Sequence, residues 1–230
     1  MNRHAWLKSS VALAVTLAAS SVSANGLSIN EQSASGMGTG FAGRSSTAED
    51  ASTLFGNPAG MSRLDRTEVS GGFATIFAST DIDDAQGFAS GTNKGDMVPT
   101  ATIPFAYLVT PLNDHWHAGI GVYAPFGVIS DYEKGFQGRS HGLYSMVQVV
   151  TLQPTLSYQV NDRVSVGFGP TINRISGKLT SQPLAALGSD AKVNIKGDDT
   201  GYGFNAGVLV QVTDQVRWGL TYHSAIAFGV

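Results

Sequence analysis

The 230-residue sequence contains no cysteine, so disulfides, thiolate metal sites and thiol nucleophiles are all excluded. Charge is scarce as well. Only 13% of residues are Asp, Glu, Lys or Arg, and the net charge is −3, which supplies no basic surface for a nucleic acid. Beyond the first two dozen residues no apolar run approaches the roughly 18 residues that a helical membrane span needs. Glycine, by contrast, is abundant at 28 residues; it weakens helices and lets backbones approach closely.

The first residues set the compartment. "MNRHAWLKSS" carries Arg3, His4 and Lys8, "VALAVTLAAS" is a short apolar core, and "SVSA" places Val22 and Ala24 at signal-peptidase spacing. Residues 1–24 therefore read as an export signal. Removing them leaves 206 residues, and the loss of Arg3 and Lys8 takes the net charge from −3 to −5. Export without a helical span leaves a periplasmic protein, a secreted one, or a β-barrel.

Residues 25–66 show no strand alternation. Ser46 and Glu49 have capping-box spacing, which predicts a short helix from about Thr47 to Phe55 with Gly56 just past its end. In "LFGNPAGM", Asn57 is placed to cap a second turn, with Pro58 at the first helical position, where its missing N–H costs nothing. Two short helical pieces joined by a tight corner cannot bury a core alone, so this segment must lean on something larger.

Beyond Glu68 the period becomes two. In 116–126 one face carries Trp116, Ala118, Ile120, Val122, Ala124 and Phe126; segments 164–172, 202–212 and 216–228 repeat the pattern, and 67–80, 98–110 and 144–160 fit less regular strands. Short polar corners at Asn113-Asp114, Asn161-Asp162 and Thr213-Asp214 alternate with long connections. Opposite the apolar face stand glycine, serine, threonine and asparagine, as in a polar lumen, whereas a soluble sandwich would show charge there. Alternation, tight turns at one end and long loops at the other predict an all-β, transmembrane antiparallel barrel. Seven strands are an odd number, and "AIAFGV" is still strand-like, so these residues are expected to be the first part of a longer barrel; the alternative is closure by oligomerisation.

Three stretches, "GLSINEQSASGMGTGFAG", "AEDASTLFGNPAGMSRL" and "YAPFGVISDYEKGFQGR", resemble the FadL/TodX family of outer-membrane long-chain fatty acid and hydrocarbon transporters. The resemblance implies a 14-stranded barrel, about seven strands being present here, with residues 25–66 as a helical hatch in the lumen and 67–230 as the first half of the wall. It puts the family's hatch motif on Asn57, Pro58 and Ala59. It also puts a kinked third strand, opening the wall sideways, at Ala124, Pro125, Phe126 and Gly127. A proline within a strand removes a ladder hydrogen bond, so the residues alone also predict deformation there. By family order 179–197 is the third extracellular loop, where Pro183 to Gly188 could form a short apolar helix. Gly26, Leu27, Leu184 and Leu187 are the implied ligand contacts, and Arg139, Arg174 and Lys178 are carboxylate candidates by type alone.

The implied function is passive, cofactor-free transfer of a long-chain fatty acid or an aromatic or aliphatic hydrocarbon by a protein that is monomeric when full length. It would work in the bacterial outer membrane, among its lipid and lipopolysaccharide, with no nucleic-acid partner. A structural or adhesive barrel and an outer-membrane lipid hydrolase are the alternatives. Against the hydrolase, Ser145 near His141 matches no nucleophile motif, and His115 with His117 lacks a third metal ligand.

Overall fold

The computed structural model describes residues 28–229 apart from 84, 85, 88 and 190. The export signal at 1–24, Gly26 and Leu27 lie outside the described residues. Seven strands form one antiparallel sheet in sequence order: β1 (Glu68–Ile76), β2 (Ala101–Pro111), β3 (Trp116–Asp131), β4 (Tyr144–Gln159), β5 (Val164–Ser181), β6 (Val193–Thr213) and β7 (Val216–His223).

One device closes the three tight turns. The Asn113 side-chain oxygen accepts from the N–H groups of His115 and Trp116, and that of Asn161 accepts from the N–H groups of Arg163 and Val164. The Thr213 hydroxyl accepts from Gln215 and Val216. A side-chain oxygen thus replaces the backbone partner at each corner.

Burial along the strands is inverted relative to a water-soluble sheet. Ile120, Leu156 and Phe168 are 44%, 50% and 53% exposed, while Gln153, Ser165 and Asn173 are 0% exposed. Holding such apolar side chains in water would forfeit about 1.5–3 kcal/mol each; against hydrocarbon the cost disappears. β2 departs from the pattern. Its inward face carries Phe105, Tyr107 and Val109, which join Leu54, Met61, Leu64 and Tyr123 in one buried cluster. The N-terminal segment brings apolar side chains to β2, so the inner face of the sheet is apolar there.

Two expectations need correction. The connection expected at 179–197 is shorter, 182–192, because β5 runs to Ser181 and β6 begins at Val193, 18 and 21 residues long. The ladder continues through Lys178↔Lys196 and Ser181↔Val193. Above the apolar band both faces meet water, so alternation vanishes although pairing persists. The segment 224–229, expected within the last strand, lies beyond it.

The N-terminal helix also differs. No helix spans 47–55; a four-residue one covers Thr53–Gly56, with Gly56 inside it, and a five-residue one covers Ala34–Gly38, capped by the Ser33 hydroxyl. The Ser46 hydroxyl donates to the Gly43 carbonyl instead of capping, and Asp50 accepts from the Ser52 N–H and the Ser35 hydroxyl. Short polar side chains that bond locally compete with helix formation.

The β4–β5 ladder is interrupted between Leu152↔Ile172 and Leu156↔Phe168. Pro154 and Pro170 stand opposite each other in that gap, and neither has an N–H to donate.

Candidate functional site

The corner read from the sequence is seated against the inner face of the sheet. Asn57 precedes a 3-10 helix, Pro58–Arg63, with Pro58 in its first turn. Its side-chain oxygen accepts from the Ala59 N–H at 3.0 Å, satisfying one orphan donor of that turn. Its amide nitrogen does more than a cap requires, donating to the carbonyls of Ser45 at 2.6 Å and Val208 at 3.0 Å. Asn57 is fully buried and ties the two N-terminal pieces to β6. The Ala59 carbonyl receives the hydroxyls of Ser165 and Ser62 at 2.9 and 2.8 Å. Thr221 of β7 donates to the Gly56 carbonyl at 2.9 Å.

The close approach has a steric condition. A methyl at Gly167 would collide with the Pro58 backbone, one at Gly207 with the Asn57 side chain, and one at Gly219 with the Ser45 carbonyl. Gly167 and Gly207 are cross-strand partners, so side-chain-free positions on adjacent strands make the seat. Nothing in the sequence reading singled them out; the available signal was glycine at successive inward positions of β5, β6 and β7. Gln153 was also missed. It is fully buried and accepts from the side chains of Tyr123 and Asn205, a polar link between β3, β4 and β6.

At the second location β3 carries an extra residue. Its register with β4 shifts between Tyr123↔Thr151 and Phe126↔Val149, three steps on β3 against two on β4. Pro125 sits in this bulge and supplies no ladder donor. Pairing of β3 with β2 ends at Ala106↔Val122, so Ala101–Phe105 pair only with β1. The two strands part there.

The carbonyls freed at the bulge are taken by the N-terminal arm. The Ile29 N–H donates to the Pro125 carbonyl at 3.0 Å, Ser28 bridges Phe126, and the Gln32 amide donates to the Ala124 carbonyl. Ile29 fills the space that a Gly127 side chain would need. Arg44 holds this arm from behind, donating to the Asn30 carbonyl at 3.0 Å and to its side-chain oxygen at 3.4 Å. The guanidinium lies 4.4 Å from the Phe41 ring centroid and 5.4 Å from that of Phe55. Partial burial draws the Arg44 pKa below its ordinary value.

The remaining sequence candidates are dispersed. Leu184 and Leu187 are exposed beside a single 3-10 turn, Ala185–Leu187. Arg139 donates to the carbonyls of Ser90 and Phe136, Arg174 pairs with Asp198, and Lys178 lies 4.7 Å from the Tyr144 ring. The two histidines are not brought together: His117 Nε2 bonds the Leu64 carbonyl, and His115 Nδ1 the Gln159 carbonyl. No cluster of three metal-ligating side chains occurs among the described residues.

Comparison with known proteins fits this wall and its covering segment. The profile of the outer membrane protein transport protein family (OMPP1/FadL/TodX) matches residues 15–230. The long-chain fatty acid transport protein of Escherichia coli is 30% identical, the match covering 96% of this chain and 55% of that protein. A Pseudomonas aeruginosa FadL homologue superposes with a TM-score of 0.69 at 26% identity, covering 88% of this chain and 53% of the other. The Ralstonia pickettii toluene transporter TbuX shares the fold at a TM-score of 0.64 and 20% identity, over 80% and 55% of the two chains. The chain thus spans about half the length of the curated relatives it matches. An apolar-out and polar-in antiparallel wall and a family profile covering nearly the whole chain together make it a member of the OMPP1/FadL/TodX family of outer membrane transport proteins.

Proposed function

We propose that the complete protein is a 14-stranded outer-membrane barrel that passively transfers long-chain fatty acids or related hydrophobic compounds, acting as a monomer and without a cofactor. Residues 1–24 direct export, 25–66 form the hatch, and 67–230 are the first half of the wall. The observation that carries the reading is the arm at 28–32 bonded onto the β3 bulge where β2 and β3 part. A passage beside Pro125 is closed by a segment held through a few hydrogen bonds and one isoleucine.

A long acyl chain does not dissolve in the lipopolysaccharide layer. Each CH₂ buried in a protein groove gains about 0.8 kcal/mol, so a few methylenes offset the bonds that hold the arm. The exposed Leu184 and Leu187 offer first apolar contact at the outer loops. The ligand then enters the lumen, with Gly26 and Leu27 as its proposed contacts, and displaces the arm. It leaves sideways past Ala124, Pro125, Phe126 and Gly127 into the membrane. Asn57, Pro58 and Ala59 stay seated and act as the hinge base.

The test is uptake of labelled oleate, with labelled toluene as comparison, in cells lacking their own transporter and expressing the complete gene. Oleate uptake above the empty-vector level supports the fatty-acid reading; toluene uptake alone moves the protein to the hydrocarbon branch. Neither entering, with barrel insertion verified, refutes transport.

A further inference from the structure

The β5–β6 ladder runs without a register shift from Val164↔Val210 to Ser181↔Val193, so the even-numbered positions of both strands stay on the lipid-facing side. Phe168 and Ile172 of β5, and Tyr202 and Phe204 of β6, are exposed on that side. Beyond Ile172 the same face turns basic, with Arg174 and then Lys178, whose cross-strand partner is Lys196. Arg174 is engaged by Asp198 and by the Thr200 hydroxyl at 2.9 Å. The Lys178 ammonium lies 4.7 Å from the Tyr144 ring centroid, which orients it without neutralising it. Among the described residues no carboxylate is within ion-pairing distance of Lys178 or Lys196. Like charges directly opposite on a ladder destabilise it, and an anion placed between them reverses the sign.

Height on the wall says which anion. Arg174 is ten positions from Val164 at the tight turn, or about 33 Å along the strand. At a barrel tilt of about 40° this is about 25 Å of height, the thickness of the apolar band. Lys178 and Lys196 stand roughly 10 Å higher by the same rise and tilt. Arg174 thus marks the upper edge of the hydrocarbon, and the lysine pair lies in the headgroup layer on the side of the long connections, the outer leaflet. Lipid A, the membrane anchor of lipopolysaccharide, carries phosphate groups above its acyl chains in that leaflet. Below the basic group, Leu152, Ile172 and Tyr202 form an exposed cross-strand row on which such chains can lie.

We propose that Lys178 and Lys196, with Arg174 at their lower edge, bind a phosphate group of lipid A on the outer face of the wall, its acyl chains packed over Leu152, Ile172 and Tyr202. The phosphate removes the repulsion within the lysine pair and ties β5 to β6 above the membrane, where the connection 182–192 begins. This rests on the outer-membrane barrel reading and is independent of which compound is transferred. Arg174 and Lys178, facing lipid rather than lumen, serve the membrane around the protein.

The test uses the complete protein purified in a neutral detergent, with lipid A added and binding read by native mass spectrometry. In Lys178→Gln/Lys196→Gln the affinity falls about thirtyfold, roughly fivefold for each lysine near an anionic lipid. Arg163→Gln, the same charge change at the opposite end of β5, binds as the wild type does. Lipid A stripped of its phosphates binds the wild type no better than lipid A binds the double variant. Without lipid the double variant unfolds at the same temperature as the wild type or higher, because the opposed charges are gone; added lipid A raises the wild-type unfolding temperature alone. Affinity within threefold of wild type in the double variant overturns the proposal, as does equally tight binding of phosphatidylglycerol or inorganic phosphate. Oleate uptake without lipid A binding sinks this site and leaves transport standing. Lysine-dependent lipid A binding by a barrel that imports neither oleate nor toluene does the reverse.

Discussion

Replacing Asn57 with alanine tests how the N-terminal segment is held. A helix cap of this type contributes about 0.5–2 kcal/mol. The side chain also donates to the carbonyls of Ser45 and Val208, and each buried bond adds about 0.5–1.5 kcal/mol net. The expected loss is about 3 kcal/mol of docking free energy, beyond what the cap alone supplies. Each 1.4 kcal/mol being about tenfold, local opening becomes roughly a hundred times more frequent. Hydrogen exchange of the Ala59 and Gly60 amides in the complete, detergent-solubilised protein measures it directly, with β5 amides as the internal reference. Asn57→Ser keeps a cap acceptor and loses the two donated bonds, so it should fall between wild type and alanine. Exchange within threefold of wild type in Asn57→Ala would refute the account, and Asn57→Ser matching wild type would show that the bonds to Ser45 and Val208 contribute nothing.

Gly207→Ala places a methyl against the Asn57 side chain, whereas at Gly177 such a methyl comes no nearer than 3.8 Å, to the Gly197 carbonyl oxygen. Single-channel leak should therefore rise in Gly207→Ala and stay at the wild-type level in Gly177→Ala. Burial opposes ionisation of Asp50, but hydrogen bonds from Ser52 and Ser35 outweigh it and hold its pKa below the usual 3.8. A lowered folded pKa means stabilisation that is complete above the unfolded value and lost as pH falls through the folded one. Protease access to 28–66 should thus increase below about pH 4, and Asp50→Asn should remove that acid step. Replacing Pro125-Phe126-Gly127 with Val-Thr-Val restores a ladder donor and a regular strand; the barrel should insert normally while oleate uptake drops, and unchanged uptake would sink the lateral route.

The legible parts of the sequence were those governed by nearest neighbours. Strand alternation follows from the backbone's period of two, the three tight turns from Asn113, Asn161 and Thr213 closing on their own backbone, and the Asn57 cap from a residue and the N–H two positions on. The strand ends of β5 and β6 were not legible, because above the apolar band no contrast between faces marks them. The helix expected at 47–55 failed because Asp50, Ser46 and Ser52 found closer partners than the helical ladder.

Pairing across distance was decided only by the fold. Asn57 meets Val208 across 151 positions, and Gly207 is a weak strand residue until Asn57 is placed against it. The apolar inner face of β2 makes sense only with Leu54 and Met61 lying on it. Pro125 announced a deformed strand by its missing N–H, but which segment takes the carbonyls exposed there is a matter of long-range geometry. The sequence by itself determined an exported, disulfide-free, alternating wall with a capped corner before it; the tertiary structure determined that residues 28–32 close onto the bulge and that Arg44 fastens them, since these contacts join residues whose separation no local pattern encodes.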